Sequence, residues 1–288
     1  MIDFEMAKDK VLMGPERKSM VISDKEKELF GGGQPEPHSI KPIKIPSADG
    51  EIAAWVYKPK ESQNLPVLVF FHGGGFVIGS LQSHDTVCRS LCVETQCLVI
   101  SVDYRLAPEN KYPAALEDAW MATTWVANNL ESLGGDVNNL AVGGDSAGGC
   151  LAASVSLMAK EAGAPSICKQ LLIYPCTDMT ARFDSHRTFG EGYRLTSELL
   201  EWFYNLYFDE QEDVAHWKAS PLNAENFKNL LGDDAKYNAE KINNIFKGED
   251  NDFSKAVCLN AAAGLIVSEK FSNFKDAYNN SREHILSG

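Results

Sequence analysis

Gly143-Gly144-Asp145-Ser146-Ala147-Gly148-Gly149 is the stretch from which the fold of this chain can be predicted. It follows the apolar run at 140–142 and opens a helical pattern that continues to about residue 162. A strand, a Gly-x-Ser-x-Gly turn and a helix, in that order, are typical of a nucleophile elbow. Small residues around the serine let strand and helix approach closely, and glycine tolerates the dihedrals that such a turn needs. We therefore expect Ser146 to lie exposed at the top of a sheet, beside the N–H groups that begin a helix.

The composition is that of a globular, acidic chain. Its 288 residues are 44% hydrophobic, which suits one large domain or one domain with a small appendage. The formal net charge of −13 argues against nucleic-acid or anionic-membrane partners. No apolar run approaches the ~20 residues of a membrane span, and the acidic residues 1–5 do not resemble a signal peptide. We expect a cytoplasmic protein and leave its oligomeric state open.

The seven cysteines do not form a metal-binding pattern. Cys88 and Cys92 are four residues apart on a predicted helix, but no histidine or second cysteine pair completes a zinc site. The odd count and the apolar surroundings favour buried, reduced thiols. We expect neither a metal nor a cofactor.

Apolar runs alternate with helical patterns along the middle of the chain. This alternation predicts a parallel sheet with crossover helices. An antiparallel hairpin is predicted ahead of it, with its turn at 48–50. A helical, aromatic pattern over 183–221 predicts packing or a lid above Ser146. Buried strands are predicted at 66–71, 97–102, 140–142 and 170–175, and helices at about 84–94 and 113–133.

A second motif, His72-Gly73-Gly74-Gly75, follows the strand predicted at 66–71. Acyl transfer by a serine needs a base to take its proton, an acid to orient that base, and N–H groups that stabilise an oxyanion. Glycines leave their backbone N–H groups unhindered, and the residue after the nucleophile supplies a further one. The run predicts an oxyanion hole, with a flexible turn as the alternative.

With these motifs the chain resembles the hormone-sensitive-lipase family of α/β-hydrolases over about residues 40–230. The resemblance implies an α/β-hydrolase fold, in which helices flank a mostly parallel sheet beneath a helical cap. The cap would come from residues 1–34 and about 188–215. It also implies a carboxylesterase for short to medium acyl chains. The stretches that carry it are FHGGGFVIGS (71–80), SVDYRLAPE (101–109), YPAALEDA (112–119), GGDSAGG (143–149), QLLIYP (170–175) and ASPL (219–222).

The same resemblance implies roles for the residues of both motifs. Ser146 would be the nucleophile, and its ester substrate would be a small molecule. Gly74, Gly75 and Ala147 would donate to the oxyanion. The supports of the site would be His72, Gly73, Asp145 and the stretch 103–109.

The chain departs from that family after residue 222. The family continues with a strand, an Asp-Pro-Leu-x-Asp-Glu motif that holds the acid, another strand and a His-Gly-Phe motif, and none of these occurs here. From Leu231 the pattern is helical only, ending with a helix from Phe274 to Leu286. We therefore expect a sheet that lacks its last two strands, an exposed apolar edge at 170–175 and a helical tail.

The tail resembles a different family. It is similar to the C-terminal end of anthranilate phosphoribosyltransferase. The resemblance does not include that enzyme's glycine-rich substrate loop or its metal-binding acids. We expect a hydrolase domain at 1–230 and a tail at 231–288, joined by fusion, truncation or a frameshift near Leu230. The stretches that carry the resemblance are LGDDAKYNAEKINNIFKGE (231–249), AVCLNAAAGLIVSEKF (256–271) and AYNNSREHILSG (277–288).

Three histidines follow Ser146 in the sequence, where the family has its base. His186 and His216 border the predicted cap, and His284 lies in the tail next to Glu283. We name His284 as the candidate base, with a solvated helical histidine as the alternative. Acids available in Ser…Asp…His order are Asp233, Asp234, Asp250 and Asp252.

Three functions stay open on this sequence. The first is a carboxylic-ester hydrolase that is impaired because the family's acid and histidine are missing. The second is a catalytically inert or small-molecule-binding protein, because the plant gibberellin receptors resemble this family and lack the histidine. The third, a phosphoribosyltransferase fragment, is disfavoured by the missing substrate loop.

Overall fold

A computed structural model describes residues 35–180, 183–193, 195–210, 212–224 and 274–287 of the chain. The chain divides into two compact units, residues 1–223 and 224–288. The Ser146 site lies in the first unit. No helix within the described ranges combines the length and the apolar character needed to cross a bilayer.

Six strands form one mixed sheet in the described part of the first unit. They are β1 (Ser39–Ser47), β2 (Gly50–Lys58), β3 (Leu65–Phe71), β4 (Leu98–Asp103), β5 (Gly135–Asp145) and β6 (Lys169–Ile173). Their order across the sheet is β1-β2-β4-β3-β5-β6. The β4-β3, β3-β5 and β5-β6 pairs are parallel, and the β1-β2 and β2-β4 pairs are antiparallel. The predicted α/β-hydrolase fold with a mostly parallel sheet is confirmed.

Helices connect the strands and flank the sheet. They are α1 (Asp85–Thr95), α2 (Ala114–Asn128), α3 (Leu130–Leu133), α4 (Ala147–Ala162), α5 (Asp184–Thr188), α6 (Ser197–Tyr207) and α7 (Phe274–Leu286), with a 3-10 turn at Pro221–Asn223. The helix expected from 113 to 133 is divided at Asn129, whose N–H donates to the carbonyl of Val126. Helix α7 confirms the helical end of the tail, whereas the other helices expected there lie outside the described residues.

The predicted hairpin is confirmed, and its register is complete. Ser39 lies opposite Lys58 at one end, and Ser47 lies opposite Gly50 at the other. Gly50 has φ +131°, a conformation that glycine adopts far more readily than other residues. The hairpin therefore closes through a turn that its sequence specifies.

The core surrounds β3, the strand that leads into the glycine run. Alternate residues of β3 enter two different clusters, because successive side chains of a strand point to opposite faces. Val67, Val69 and Phe71 pack in the larger cluster, which also contains buried residues of α2 and α4. Leu68 and Phe70 pack in the smaller cluster, beside α1. The prediction of a strand buried on both faces is confirmed here.

Strand β6 is less buried than the sequence indicated. Lys169, Gln170 and Leu171 are exposed, and the last two residues of β6 are only half-buried. The strand pairs with β5 on one side and is the edge strand of the described sheet. The prediction of a buried strand is wrong, because an apolar run does not indicate whether a strand lies at the centre or the edge of its sheet. Of the apolar residues in β6, Leu171 is exposed, as expected of a strand at the edge of the described sheet.

The cysteines and the cap region also differ from expectation. Cys88, Cys92 and Cys150 are buried free thiols as predicted, whereas Cys168 is exposed. Residues 183–221 contain less helix than predicted, since the described part holds only α5, α6 and the 3-10 turn. Residues 1–34 of the expected cap lie outside the described residues.

Candidate active site

Ser146 has the backbone conformation of a nucleophile elbow. Its φ is +52° and its ψ is −114°, a conformation that residues other than glycine rarely adopt. Three backbone hydrogen bonds hold it in this conformation. The Ser146 N–H donates to the carbonyl of Ile173 at 2.9 Å, and the Ser146 carbonyl accepts the backbone N–H groups of Cys150 and Cys176, both at 3.1 Å. The turn between β5 and α4 is thus held by the helix that follows it and by the edge strand.

Glycines around the elbow allow three elements to touch. A Cβ added to Gly148 would overlap the carbonyl oxygen of Phe71, and one added to Gly144 would overlap the backbone of Gly148. Strand β3, strand β5 and helix α4 therefore meet at van der Waals distance through backbone atoms. The small residues noted on either side of the serine are required by this packing.

The glycine run forms a tight loop beside the elbow. Gly74 has φ +125° and Gly75 has φ +59°, and the Gly74 carbonyl accepts the N–H groups of Val77 and Ile78, both at 3.0 Å. Across the described part of the chain, the N–H groups of Gly74 and Gly75 have no hydrogen-bond partner. Ala147 is the first residue of α4, so its N–H has no partner within the helix. The three predicted oxyanion donors therefore have N–H groups that a ligand could engage.

The peptide unit between His72 and Gly73 is held at both ends. The His72 carbonyl accepts the hydroxyl of Tyr104 at 2.6 Å, and the Gly73 N–H donates to Asp145 Oδ1 at 3.0 Å. The His72 ring is buried and stacks on Tyr104 with centroids 4.3 Å apart. Burial and then the charge of Asp145 raise the pKa of Tyr104, which keeps its hydroxyl protonated as a donor. His72, Gly73 and Asp145 thus lie together beside the glycine loop, and their roles as supports of the site stay predictions.

The stretch 103–109 anchors the loop after β4. The Arg105 Nε lies 3.0 and 2.9 Å from the two carboxylate oxygens of buried Asp118 on α2. The Arg105 backbone N–H donates to the same carboxylate at 2.8 Å. The Ala107 N–H donates to the carbonyl of Phe76 at 2.9 Å, which ties this stretch to the glycine loop. This stretch is thus tied to α2 and to the glycine loop, and its role as a support of the site stays a prediction.

Ser146 opens onto a cavity of about 290 Å³. Gly75 and Ala147 also line it, so the three site residues face one space. The ring of Phe203 packs so closely on Gly75 that a Cβ there would overlap it. The other aromatic residues of the lining are Phe76, Tyr174, Phe183 and Tyr204. Small apolar ligands fit such a cavity.

Four polar residues of the cavity were not named as site residues from the sequence: Cys176, Thr177, Asp178 and His186. Cys176 lines it, and its thiol lies 3.1 Å from the Tyr204 hydroxyl. Burial raises the pKa of Cys176, which disfavours the reactive thiolate. His186 also lines it, and no motif marks either residue in the sequence.

His186 and His284 differ in which ring nitrogen of the neutral side chain can accept a proton. His186 Nδ1 accepts the Phe183 N–H at 2.9 Å, so a neutral His186 carries its proton on Nε2 and donates from there. His284 Nδ1 lies 2.9 Å from the carbonyl of Asn280, which leaves Nε2 of a neutral ring as an acceptor. His284 is exposed on α7 in the second unit. Its role as base stays a prediction, and the candidate acids at 233, 234, 250 and 252 lie outside the described residues.

The Ser146 hydroxyl has no hydrogen-bond partner among the residues that the structure describes. An elbow, a loop with available N–H groups and an apolar cavity are therefore present together, without an imidazole bonded to the serine in this part of the chain. The arrangement can bind and polarise a carbonyl group next to a hydroxyl nucleophile.

Comparison with known proteins places this arrangement in a family. Residues 68–232 match the alpha/beta hydrolase fold family, which is more than half of the chain. The chain belongs to the α/β-hydrolase family. Among solved structures it is similar to a thermophilic carboxylesterase cloned from a metagenomic library, with a TM-score of 0.67, 42% identity and 70% of each chain covered. An esterase from Pyrobaculum calidifontis has a TM-score of 0.65 and 38% identity, with 77% of this chain and 68% of that chain covered.

Two curated relatives are also named as ester hydrolases. The carboxylic ester hydrolase LipN of Mycobacterium tuberculosis is 41% identical over 203 residues, covering 68% of this chain and 54% of the relative. The ethyl acetate hydrolase of Pseudomonas putida is 39% identical over 201 residues, covering 67% of this chain and 63% of the relative. The chain spans about half the length of the curated relatives it matches.

Proposed function

We propose that this chain hydrolyses small-molecule carboxylic esters, with Ser146 as the nucleophile. The observation that carries the proposal is the strained Ser146 backbone beside the available N–H groups of Gly74, Gly75 and Ala147. The names of the relatives support the reaction class. The aromatic and largely apolar lining of the cavity supports an ester with a small acyl or alcohol group.

In the proposed reaction the Ser146 oxygen attacks the ester carbonyl carbon. The three N–H groups stabilise the negative charge on the carbonyl oxygen, and the C–O bond to the alcohol breaks as the departing alkoxide takes up a proton. Water then hydrolyses the acyl-serine to the carboxylic acid and returns a proton to the Ser146 oxygen. Because the family's acid and histidine motifs are missing, the serine proton passes to an unconventional base, for which His284 is our candidate, or to solvent. An oxyanion hole and binding alone retain about 10³–10⁴-fold acceleration over water in well-studied serine hydrolases.

The test is turnover of a short p-nitrophenyl ester by the wild-type chain and by Ser146→Ala. We expect slow hydrolysis that the substitution abolishes. His284→Ala, compared with His216→Ala as a control, then tests the base. Equal rates for wild type and Ser146→Ala would reject the hydrolase proposal.

A second function is favoured by the Ser146 hydroxyl, which no described residue engages. On this alternative the cavity binds a small molecule without turning it over. Thermal-shift measurements with acyl and acidic small molecules test it on Ser146→Ala, where hydrolysis cannot contribute. A melting temperature that no compound raises would count against the binding function.

A further inference from the structure

We infer that His84 is a positioning residue that keeps the Asp145 carboxylate on the oxyanion loop. The inference rests on the proposed function, because the loop matters for catalysis only if Ser146 reacts with a carbonyl group. His84 Nε2 lies 3.2 Å from Asp145 Oδ1 and 3.4 Å from Oδ2. Asp145 Oδ1 in turn accepts the Gly73 N–H at 3.0 Å. One carboxylate therefore links the start of α1 to the loop.

The direction of these hydrogen bonds follows from donor chemistry. An ionised carboxylate can only accept, so Nε2 of His84 carries the proton that faces Asp145. The other ring nitrogen, Nδ1, lies 2.8 Å from the hydroxyl oxygen of Ser83. Because both nitrogens are engaged, the ring cannot rotate without losing two hydrogen bonds.

Ser83 makes this anchor rigid. Its hydroxyl oxygen accepts the Ser80 N–H at 2.9 Å, and its one proton lies between two acceptors, the Ser80 carbonyl at 2.9 Å and Nδ1 of a neutral His84 at 2.8 Å. The Ser83 N–H returns a bond to the Ser80 hydroxyl at 3.2 Å. The turn that precedes α1 is thus closed by reciprocal bonds, and His84 extends from its last residue toward Asp145.

Asp145 needs such a partner because its carboxylate is almost buried. Its side chain is 13% exposed, and it lies so close to Gly73 that a Cβ there would overlap it. A charged group with little water around it is stable only with several donors. The Gly73 N–H is one of them, and His84 supplies the other from outside the loop. Without His84, the carboxylate gains by turning toward solvent, and the Gly73 N–H then loses its acceptor.

Loss of His84 is expected to affect the catalytic rate through the orientation of the oxyanion donors. The peptide unit between His72 and Gly73 would lose the acceptor of its N–H and keep the Tyr104 hydrogen bond to its carbonyl, so the N–H groups that follow would be less well oriented. Oxyanion donors act mainly in the transition state. Loss of His84 should therefore lower kcat and leave KM nearly unchanged.

The first test measures the Gly73 amide directly and does not need turnover. Hydrogen exchange at Gly73 is followed by NMR in Ser146→Ala protein, alone and combined with His84→Leu, His84→Gln or Arg89→Leu. Arg89 is a matched control, because it lies on α1, is 18% exposed like His84, and pairs with Asp85 at 2.8 Å instead of Asp145. His84→Ala removes the same donor without adding bulk and replaces His84→Leu if that variant does not fold.

We expect His84→Leu to accelerate Gly73 exchange by about tenfold or more, since a charge-assisted hydrogen bond supports the acceptor. Glutamine keeps an N–H donor near the position of Nε2, so His84→Gln should stay within about threefold of the parent. Arg89→Leu should not change it. The inference is overturned if His84→Leu leaves the exchange rate unchanged, or if Arg89→Leu raises it as much.

The second test uses the intact serine and a short p-nitrophenyl ester. His84→Leu should lower kcat by about tenfold with KM within about twofold, and His84→Gln should restore most of kcat. An equal loss in His84→Gln and His84→Leu would contradict the role of the donor. If wild type does not exceed Ser146→Ala, the hydrolase proposal fails, whereas the exchange experiment still decides whether His84 positions Asp145.

Discussion

The N–H of Ser146 donates to the carbonyl of Ile173 at 2.9 Å. Ile173 is the last residue of β6, which is the edge strand of the described sheet. The strained backbone of the serine is thus stabilised by the most exposed strand of the parallel region. The elbow geometry depends on how well β6 remains paired with β5.

The strain at Ser146 predicts a gain in stability when it is relieved. Glycine adopts φ +52° with ψ −114° at little cost, whereas alanine pays the same penalty as serine. We expect Ser146→Gly to exceed Ser146→Ala in free energy of unfolding by about 1–3 kcal/mol. Urea denaturation measures the difference. A Ser146→Ala protein as stable as Ser146→Gly would show that the turn is not strained.

Close backbone packing at Gly148 predicts a large loss on adding one methyl group. The Cβ of Gly148→Ala would overlap the Phe71 carbonyl, and backbone atoms cannot move aside as a flexible side chain can. We expect a loss above about 4 kcal/mol, or no folded protein. Gly163→Ala is the control at the C-cap of the same helix, because its Cβ meets nothing within 4 Å and only its φ of +72° opposes the change, at about 1 kcal/mol. Thermal unfolding compares the two; similar melting temperatures would contradict the packing described here.

The Tyr104 hydroxyl predicts an effect on rate through the loop. Tyr104→Phe keeps the ring stacked on His72 but removes the donor to the His72 carbonyl. We expect kcat for a short ester to fall by about tenfold and the free energy of unfolding to fall by about 1–3 kcal/mol, because a buried carbonyl loses its partner. Tyr112→Phe serves as the control, since Tyr112 contacts Tyr207 and Phe208 and makes no described contact with the loop. If Tyr104→Phe and Tyr112→Phe have the same kcat, the Tyr104 hydroxyl does not support the glycine loop.

Buried thiols predict a loss of stability at alkaline pH. Burial raises the pKa of Cys88 from its ordinary value to about 12. The unfolded thiol ionises at lower pH than the folded one, so the contribution to stability is present below the unfolded pKa and is lost as pH rises toward 12. We expect Cys88→Ala to reduce the slope of unfolding free energy against pH by up to about 1.4 kcal/mol per unit between roughly pH 9 and 11.

Exposed Cys168 provides the matched control for that measurement. Cys168→Ala should keep the slope of the wild type. The two slopes are obtained from urea titrations at a series of pH values, and equal slopes for the two variants would show that Cys88 is not protected from ionisation by the fold.

The sequence predicted the elements whose constraints are local. The Ser146 elbow and the hairpin turn at Gly50 depend on glycines at fixed positions, and β3 depends on a continuous apolar run. In each case the physical requirement is written in adjacent residues. These elements were found where the motifs placed them.

Other features depend on contacts between distant residues. The exposure of β6 follows from its position at the edge of the sheet, which its own five residues do not specify. His84 lies 61 residues before Asp145, and no spacing rule joins them. His186 lines the Ser146 cavity only because the chain folds back after β6. Such relationships arise from tertiary packing and become visible only in the structure.

We propose that Ser146 acts as a nucleophile beside the N–H groups of Gly74, Gly75 and Ala147, which are already in place before a substrate binds. The most direct measurement is intact-protein mass spectrometry after mixing the chain with p-nitrophenyl acetate, followed by peptide mapping. We expect the mass of one added acetyl group on the peptide that contains Ser146, and none in Ser146→Ala. An unmodified Ser146, or acetylation that persists in Ser146→Ala, would contradict it.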